Sequence, residues 1–167
     1  MAQKVEKMLN AQINKELFSA YLYQDFANYF ALEGLNGFAH WFSKQAQEEM
    51  EHAVRFQNYL LDIDYPVTLD AIAKPERKFK DYLGALEAAL EHEKYISASI
   101  NDIYGEALAA KDYRTVNFLN WFVAEQVEEE KNARDLISDF KLFAGSSQGL
   151  YNLDGKLGAR KDEEDGE

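Results

Sequence analysis

Residues 38–63 read FAHWFSKQAQEEMEHAVRFQNYLLDI, and the spacing of their apolar positions sets the fold. Phe38, Phe42 and Gln45, then Ala53, Phe56, Leu60 and Ile63, recur largely at steps of three and four. That period lines one face of an α-helix. The gap in the stripe is filled by Glu49 and His52. Glu49 stands four after Gln45 and four before Ala53, and His52 stands three after Glu49 and four before Phe56. A face that packing must bury therefore carries a carboxylate and an imidazole one turn apart.

Three further segments repeat the pattern. From about Lys4 to Glu33 the stripe is Leu9, Ile13, Ala20, Tyr23, Ala27 and Phe30, with Glu16 between Ile13 and Ala20. From about Asp81 to Ala110 it is Leu86, Leu90, Ile96, Ile100, Ile103 and Ala107, with Glu93 between Leu90 and Ile96. From about Tyr113 to Phe143 it is Phe118, Phe122, Leu136, Phe140 and Phe143, with Glu129 midway. Each helix thus turns one glutamate inward near its middle.

The links decide the topology. Gly34–Gly37 and Lys111-Asp112 are short, so the first and last pairs of helices form antiparallel hairpins. Asp64–Lys80 holds both prolines, and its 17 residues span up to about 56 Å when extended. A helix of about 28 residues is about 42 Å long. The middle link can therefore run the length of the bundle and leave the second and third helices parallel. The expected fold is all-α: a ferritin-like four-helix bundle with one long crossover. Leu150, Leu153 and Leu157 then mark a short fifth helix after Gly145-Ser146-Ser147. Its apolar side is expected to pack against other copies of the chain. The domain is read as residues 1–157, followed by a charged, mobile tail at 158–167.

Composition agrees. The chain has 167 residues, 47% of them hydrophobic, with only 9 Gly and 2 Pro. That is one domain with a real core and few helix breakers. A net charge of −12 argues against a nucleic-acid surface. The absence of cysteine removes disulfides and thiolate metal sites and suits a reducing compartment. No secretory signal and no membrane-spanning run is visible, so the expected location is the cytoplasm.

Four carboxylates at one level of a core repel one another unless cations sit among them or some are protonated. Lysine and arginine do not occupy the neighbouring inward positions, so no internal counter-ion is evident. Two divalent cations would balance the charge. Carboxylates plus one imidazole suit iron or manganese, with zinc as a further candidate. Glu48, Glu125 and Glu128 are candidates for a third cation site beside the first two. Tyr23, two turns from Glu16, reads as core packing with a bonded hydroxyl. Trp121 reads as core, His92 as solvated, and His40 as a surface or capping residue. Two other classes of function stay open: a dimetal peroxidase, and a metal-free helical adaptor with an acidic surface.

The stretches Asn14–Leu17, Tyr21–Gln24, Gln45–His52, Asn117–Lys131 and Gly149–Tyr151 resemble the bacterial non-haem ferritins, and the resemblance runs from Met1 to about Lys156. It implies a hollow shell of 24 subunits that oxidises Fe(II) with O2 or H2O2 and stores a ferric mineral. It also implies a first iron on Glu16, Glu49 and His52, and a second on Glu49, Glu93 and Glu129, with Glu49 bridging and Gln126 nearby. Glu48, Glu125 and Glu128, with Glu49, correspond to the third iron site of bacterial members, and Tyr23 to a tyrosine that supplies an electron. Asn132 stands where bacterioferritins place a second histidine. Met50 falls at their haem-ligating position but also occurs in non-haem relatives, so haem is not expected.

Overall fold

The computed structural model describes residues 2–162. The chain forms α1 (Ala2–Leu32), α2 (Asn36–Asp62), α3 (Tyr82–Ala109), α4 (Tyr113–Phe143) and α5 (Ser147–Leu157). There is no strand among the described residues. α1 packs against α2, and α3 against α4, as the two hairpins; α1 also meets α3.

The helix ends follow local chemistry. Gly34, Asp64 and Lys111 take positive φ values of 77°, 60° and 57° just past the ends of α1, α2 and α3. At all three ends the next backbone N–H bonds five residues back: Leu35 to Phe30, Tyr65 to Leu60 and Asp112 to Ala107. This paired closure satisfies carbonyls that a helix end otherwise leaves open. Asp81, Asp112 and Ser146 accept from the backbone N–H groups of Gly84, Thr115 and Gly149, capping α3, α4 and α5.

The crossover runs along α1 in the same sense as that helix. Asn10 exchanges two hydrogen bonds with the backbone of Thr68, at 3.0 and 2.8 Å. Asn14 donates to the carbonyls of Asp70 and Ala71. Arg77 then grips the Asp25 carboxylate with two bonds at 2.9 and 3.0 Å. The chain is thereby carried from the end of α2 to the start of α3, and α2 and α3 are parallel, as the length of the link requires.

The apolar core is split in two. One cluster holds Phe26, Phe30, Phe38, Phe42, Leu86 and Leu136; the other holds Leu9, Ile13, Phe56, Ile96, Ile100 and Phe122. Between them lies a belt of buried polar side chains, which includes Gln12, Glu16, Gln45, Glu49, His52, Glu93, Gln126 and Glu129. Two stripe positions fall outside the core. Phe143 is 50% exposed, and Ala20 is only half-buried, because Ser19 turns inward in its place.

α5 differs from its expectation. Leu153 and Leu157 are buried against this chain's own bundle, and α5 packs on α2 and α4. The reason is a gap at the start of α2. Its N-cap, Leu35, makes no side-chain capping bond. Asp154 of α5 supplies one by accepting from the Phe38 N–H at 3.0 Å. Gly37 permits the approach, since a Cβ there would lie 1.7 Å from the Asp154 carbonyl oxygen. Of the tail, Arg160 and Asp162 dock on α2, whereas residues 163–167 lie outside the described residues.

Two substitutions test this closure by thermal unfolding. Asp154→Ala removes the cap and lowers stability by about 1 kcal/mol. Gly37→Ala overpacks the contact, costs about 1–3 kcal/mol and frees α5 for limited proteolysis. A Gly37→Ala protein with unchanged melting and unchanged protease resistance contradicts this packing.

Candidate metal centre

The four inward glutamates converge. Glu16, Glu49, Glu93 and Glu129 come one from each bundle helix and are exposed by 0%, 1%, 2% and 4%. His52 is 3% exposed. Ligand atoms of Glu16, Glu49 and His52 lie within 4.8 Å of one another, and so do those of Glu49, Glu93 and Glu129. Glu49 belongs to both groups. A third group joins His52, Glu125 and Glu129.

Each candidate ligand is oriented by a neighbour. Gln12, one turn before Glu16, donates its amide to Glu16 Oε1 at 2.8 Å. Gln12 is held in turn by the Ser99 hydroxyl at 2.7 Å, and Lys15 donates to that hydroxyl at 2.6 Å. Gln45 donates to Glu129 Oε2 at 2.5 Å and to Glu49 Oε1 at 3.4 Å. His52 Nδ1 donates to Glu49 Oε2 at 3.2 Å. Tyr23 donates its phenol to Glu93 Oε1, and Gln126 donates to Glu93 Oε2 at 3.2 Å. Glu16 Oε2 is buried with no hydrogen-bond partner. A buried carboxylate oxygen without a donor is strongly unfavourable, and a cation is what repairs it. The donor set of carboxylate oxygens plus one imidazole nitrogen fits iron or manganese.

The electrostatics point the same way. Burial raises the Glu49 and Glu129 carboxyls well above their ordinary value of 4.5, and Glu93 opposite raises both further. Glu93 is itself raised by burial, against the bonds it accepts from Tyr23 and Gln126. Burial opposes a charge on His52, but Glu125, Glu49 and Glu16 outweigh it and lift the imidazole well above 6.5. Burial and then Glu93 hold the Tyr23 phenol well above 10. Protons thus do part of the work that cations do when bound.

The other candidates divide. Gln126 lies beside Glu93. Glu125 approaches His52 Nε2 at 3.7 Å. Glu48 is half-buried but is paired with Arg160 at 2.8 Å, and Glu128 is exposed. Met50 is 49% exposed and borders a shallow apolar surface with Leu17 and Tyr21, away from the carboxylates.

Several readings of individual residues are corrected. His92 is half-buried rather than on a solvated face: it packs edge-on against Tyr23 and exchanges a 2.7 Å bond with Ser19, and burial pushes its imidazole down to about 4. Trp121 is not core: it is 37% exposed, with the Arg55 guanidinium 3.9 Å from its ring. A cation does stand beside the centre, because Arg160 reaches it from beyond α5. Gln12, Gln45, Ser99 and Arg160 join the site only in the folded structure. The i, i+4 spacing of Gln12 to Glu16 and of Gln45 to Glu49 is a signal for two of them; Ser99 and Arg160 have none.

Comparisons with known proteins agree with this geometry. The ferritin-like domain model matches residues 6–143. The bacterial non-haem ferritin of Campylobacter jejuni is 38% identical over 154 residues, which cover 92% of each chain. That of Bacteroides fragilis is 36% identical over 160 residues, covering 96% of this chain and 99% of the relative. Among solved structures, the open-pore ferritin of the archaeon Archaeoglobus fulgidus superposes with a TM-score of 0.93 at 38% identity, covering 96% of this chain and 99% of that one. With four buried glutamates meeting inside a crossover bundle, and relatives that match along nearly the whole chain, this protein belongs to the ferritin family.

Proposed function

We propose that the protein is an iron-storage ferroxidase: it oxidises Fe(II) in the bundle and holds ferric mineral inside a shell of its own copies. The observation that carries this reading is the pair of overlapping ligand groups sharing Glu49, with the unpartnered Glu16 Oε2 beside them. Two Fe(II) are substrates here, the first held by Glu16, Glu49 and His52 and the second by Glu49, Glu93 and Glu129. Together they supply the two electrons that take O2 to peroxide, or H2O2 to water. The chain's task is to hold both ions where one oxidant can reach them, with a shared carboxylate between them.

Neighbouring residues serve this chemistry. Gln126 fixes Glu93. Tyr23 already points its O–H at Glu93, so an electron taken from the phenol has a proton acceptor in place. Glu48, Glu125 and Glu128, with Glu49, form the third cation site on the way out of the centre. Residues 1–157 act as the one domain, in a shell of 24 copies located in the cytoplasm. No helix of the described residues is long and apolar enough to cross a membrane. The shell reading draws on the ferritin relatives and on the exposed Tyr151, Leu142 and Phe143 around α5.

Stopped-flow mixing of Fe(II) with O2 tests the centre. Glu16→Ala and His52→Ala lose the fast oxidation phase, and wild-type rates in both variants would refute the assignment. Gln12→Leu keeps every ligand but loosens Glu16, and weakens metal binding by about 10–100-fold, as removal of an outer partner does.

The raised groups also set a pH dependence. Metal competes with protons for Glu49, Glu93, Glu129 and His52, whose hold on a proton is raised in the fold, so metal affinity rises with pH and calorimetry registers proton release. In the metal-free protein, groups raised in the folded state contribute stability that is full below their unfolded values. For the carboxylates that stability is lost as pH climbs from 4.5 through the raised values. The metal-free bundle therefore melts lower as pH rises through this window, and bound metal flattens the trend.

A further inference from the structure

Arg160 is held more firmly than a tail residue needs to be. Its Nη2 donates to Glu48 Oε2 at 2.8 Å and to Gln45 Oε1 at 3.1 Å, and its Nη1 donates to the Trp41 carbonyl at 3.0 Å. The guanidinium carbon lies 4.5 Å from the Trp41 ring centre. The Arg160 carbonyl accepts from His40 Nε2 at 2.7 Å, and two residues on Asp162 meets Lys44 at 2.5 Å. All of these partners lie in the first half of α2. The paired side chains are only 13% and 14% exposed for Arg160 and Glu48.

The placement is specific with respect to the centre. Gln45, which accepts from Arg160, donates its own amide to Glu129 and Glu49. The guanidinium is therefore one side chain away from the carboxylates that hold the second ion. Glu48 also borders a cavity of about 50 Å³ lined by His52, Glu125 and Asp162, with Lys44 and Arg55 at its wall. That is room for an ion and a few waters. A guanidinium stays charged at all working pH values, so Glu48 Oε2 is not free while Arg160 sits on it.

We propose that Arg160 is the resident cation of Glu48, and that a third metal ion binds beside the two-metal centre only by displacing the arginine and the tail that carries it. The proposal rests on the two-metal reading of the centre. It explains why a third acidic position next to four buried carboxylates is tolerable before any metal arrives. It also makes the third position weaker than the first two, because an incoming ion competes with a bidentate-capable cation already bonded there. Once the arginine leaves, Glu48 Oε2 is released beside the cavity that Glu48 shares with Glu125, and the ion takes the place of the guanidinium.

The experiment uses the metal-free assembled full-length protein, titrated without oxygen with Zn(II), which undergoes no redox step. In calorimetry the wild type takes up two ions per chain tightly and a third weakly. Arg160→Gln keeps a hydrogen-bonding amide but no charge, and binds the third ion at least about tenfold more tightly, equal to about 1.4 kcal/mol. Arg160→Lys restores competition, and Glu48→Gln abolishes the third event while leaving the first two. A second readout needs no change at Arg160. In a Trp121→Phe background, Trp41 emission shifts with the third equivalent as the guanidinium leaves its ring. A third affinity unchanged in Arg160→Gln, or a third ion that binds with Trp41 undisturbed, overturns the proposal. Failure of the first two ions to bind either protein overturns the two-metal reading itself, and this proposal with it.

Discussion

Mutual repulsion among buried carboxylates is the constraint around which the molecule is organised. Glu16, Glu49, Glu93 and Glu129 occupy a layer from which water is almost wholly excluded. An ionised carboxylate in such a place is unfavourable by far more than any single packing contact recovers. The chain answers with amides, a phenol and an imidazole that donate to particular oxygens, leaving Glu16 Oε2 unmatched. Native stability is a small difference between large terms, so such a layer is tolerable only if the rest of the bundle carries it. The two apolar clusters above and below do so. Aromatic stacks such as Phe30 on Phe42 and Phe56 on Phe122 clamp the layer from both sides.

The same layer explains why the crossover matters. A carboxylate from each helix reaches one level only if the helices stand in fixed axial register. The hairpin ends at Gly34 and Lys111 set that register within each pair. Between the pairs it is held by direct bonds such as Ser99 to Gln12 and Tyr23 to Glu93, and by the strap that Asn10, Asn14 and Asp25 hold along α1. A slip of one turn in either pair, about 5.4 Å, would separate Glu16 and Glu49 from Glu93 and Glu129. Surface hydrogen bonds that contribute little singly thus guard the geometry of the interior.

Much of this was legible in the sequence, because each helix buries one continuous stripe and an acidic residue within a stripe stands out. The four glutamates, His52 and the long link followed from spacing alone. Neutral polar residues give a weaker contrast: Gln12 and Gln45 stand one turn before Glu16 and Glu49, but they fit an inward stripe whether or not they touch a ligand. His92 was misplaced because a helix in a bundle has two neighbours. Its buried arc is therefore wider than one stripe, and a position 100° from Glu93 still packs on α1. Asp64 and Lys111 close helices in a conformation that glycine usually takes, so no local signal marked them. Arg160 and Asp154 act on residues more than a hundred positions earlier, and no periodicity reports such a contact.

The capping of α2 by Asp154 has a temporal side. During synthesis α2 emerges early, yet the carboxylate that closes its first turn follows 116 residues after the amide it caps. Until then the exposed amides at residues 36–38 have water alone to satisfy them, and the wall that carries Glu49 and His52 stays frayed at one end. The first turn of that wall is therefore capped only once α5 has been made and has docked. A nascent fragment lacking α5 holds its ligands in an unfinished frame.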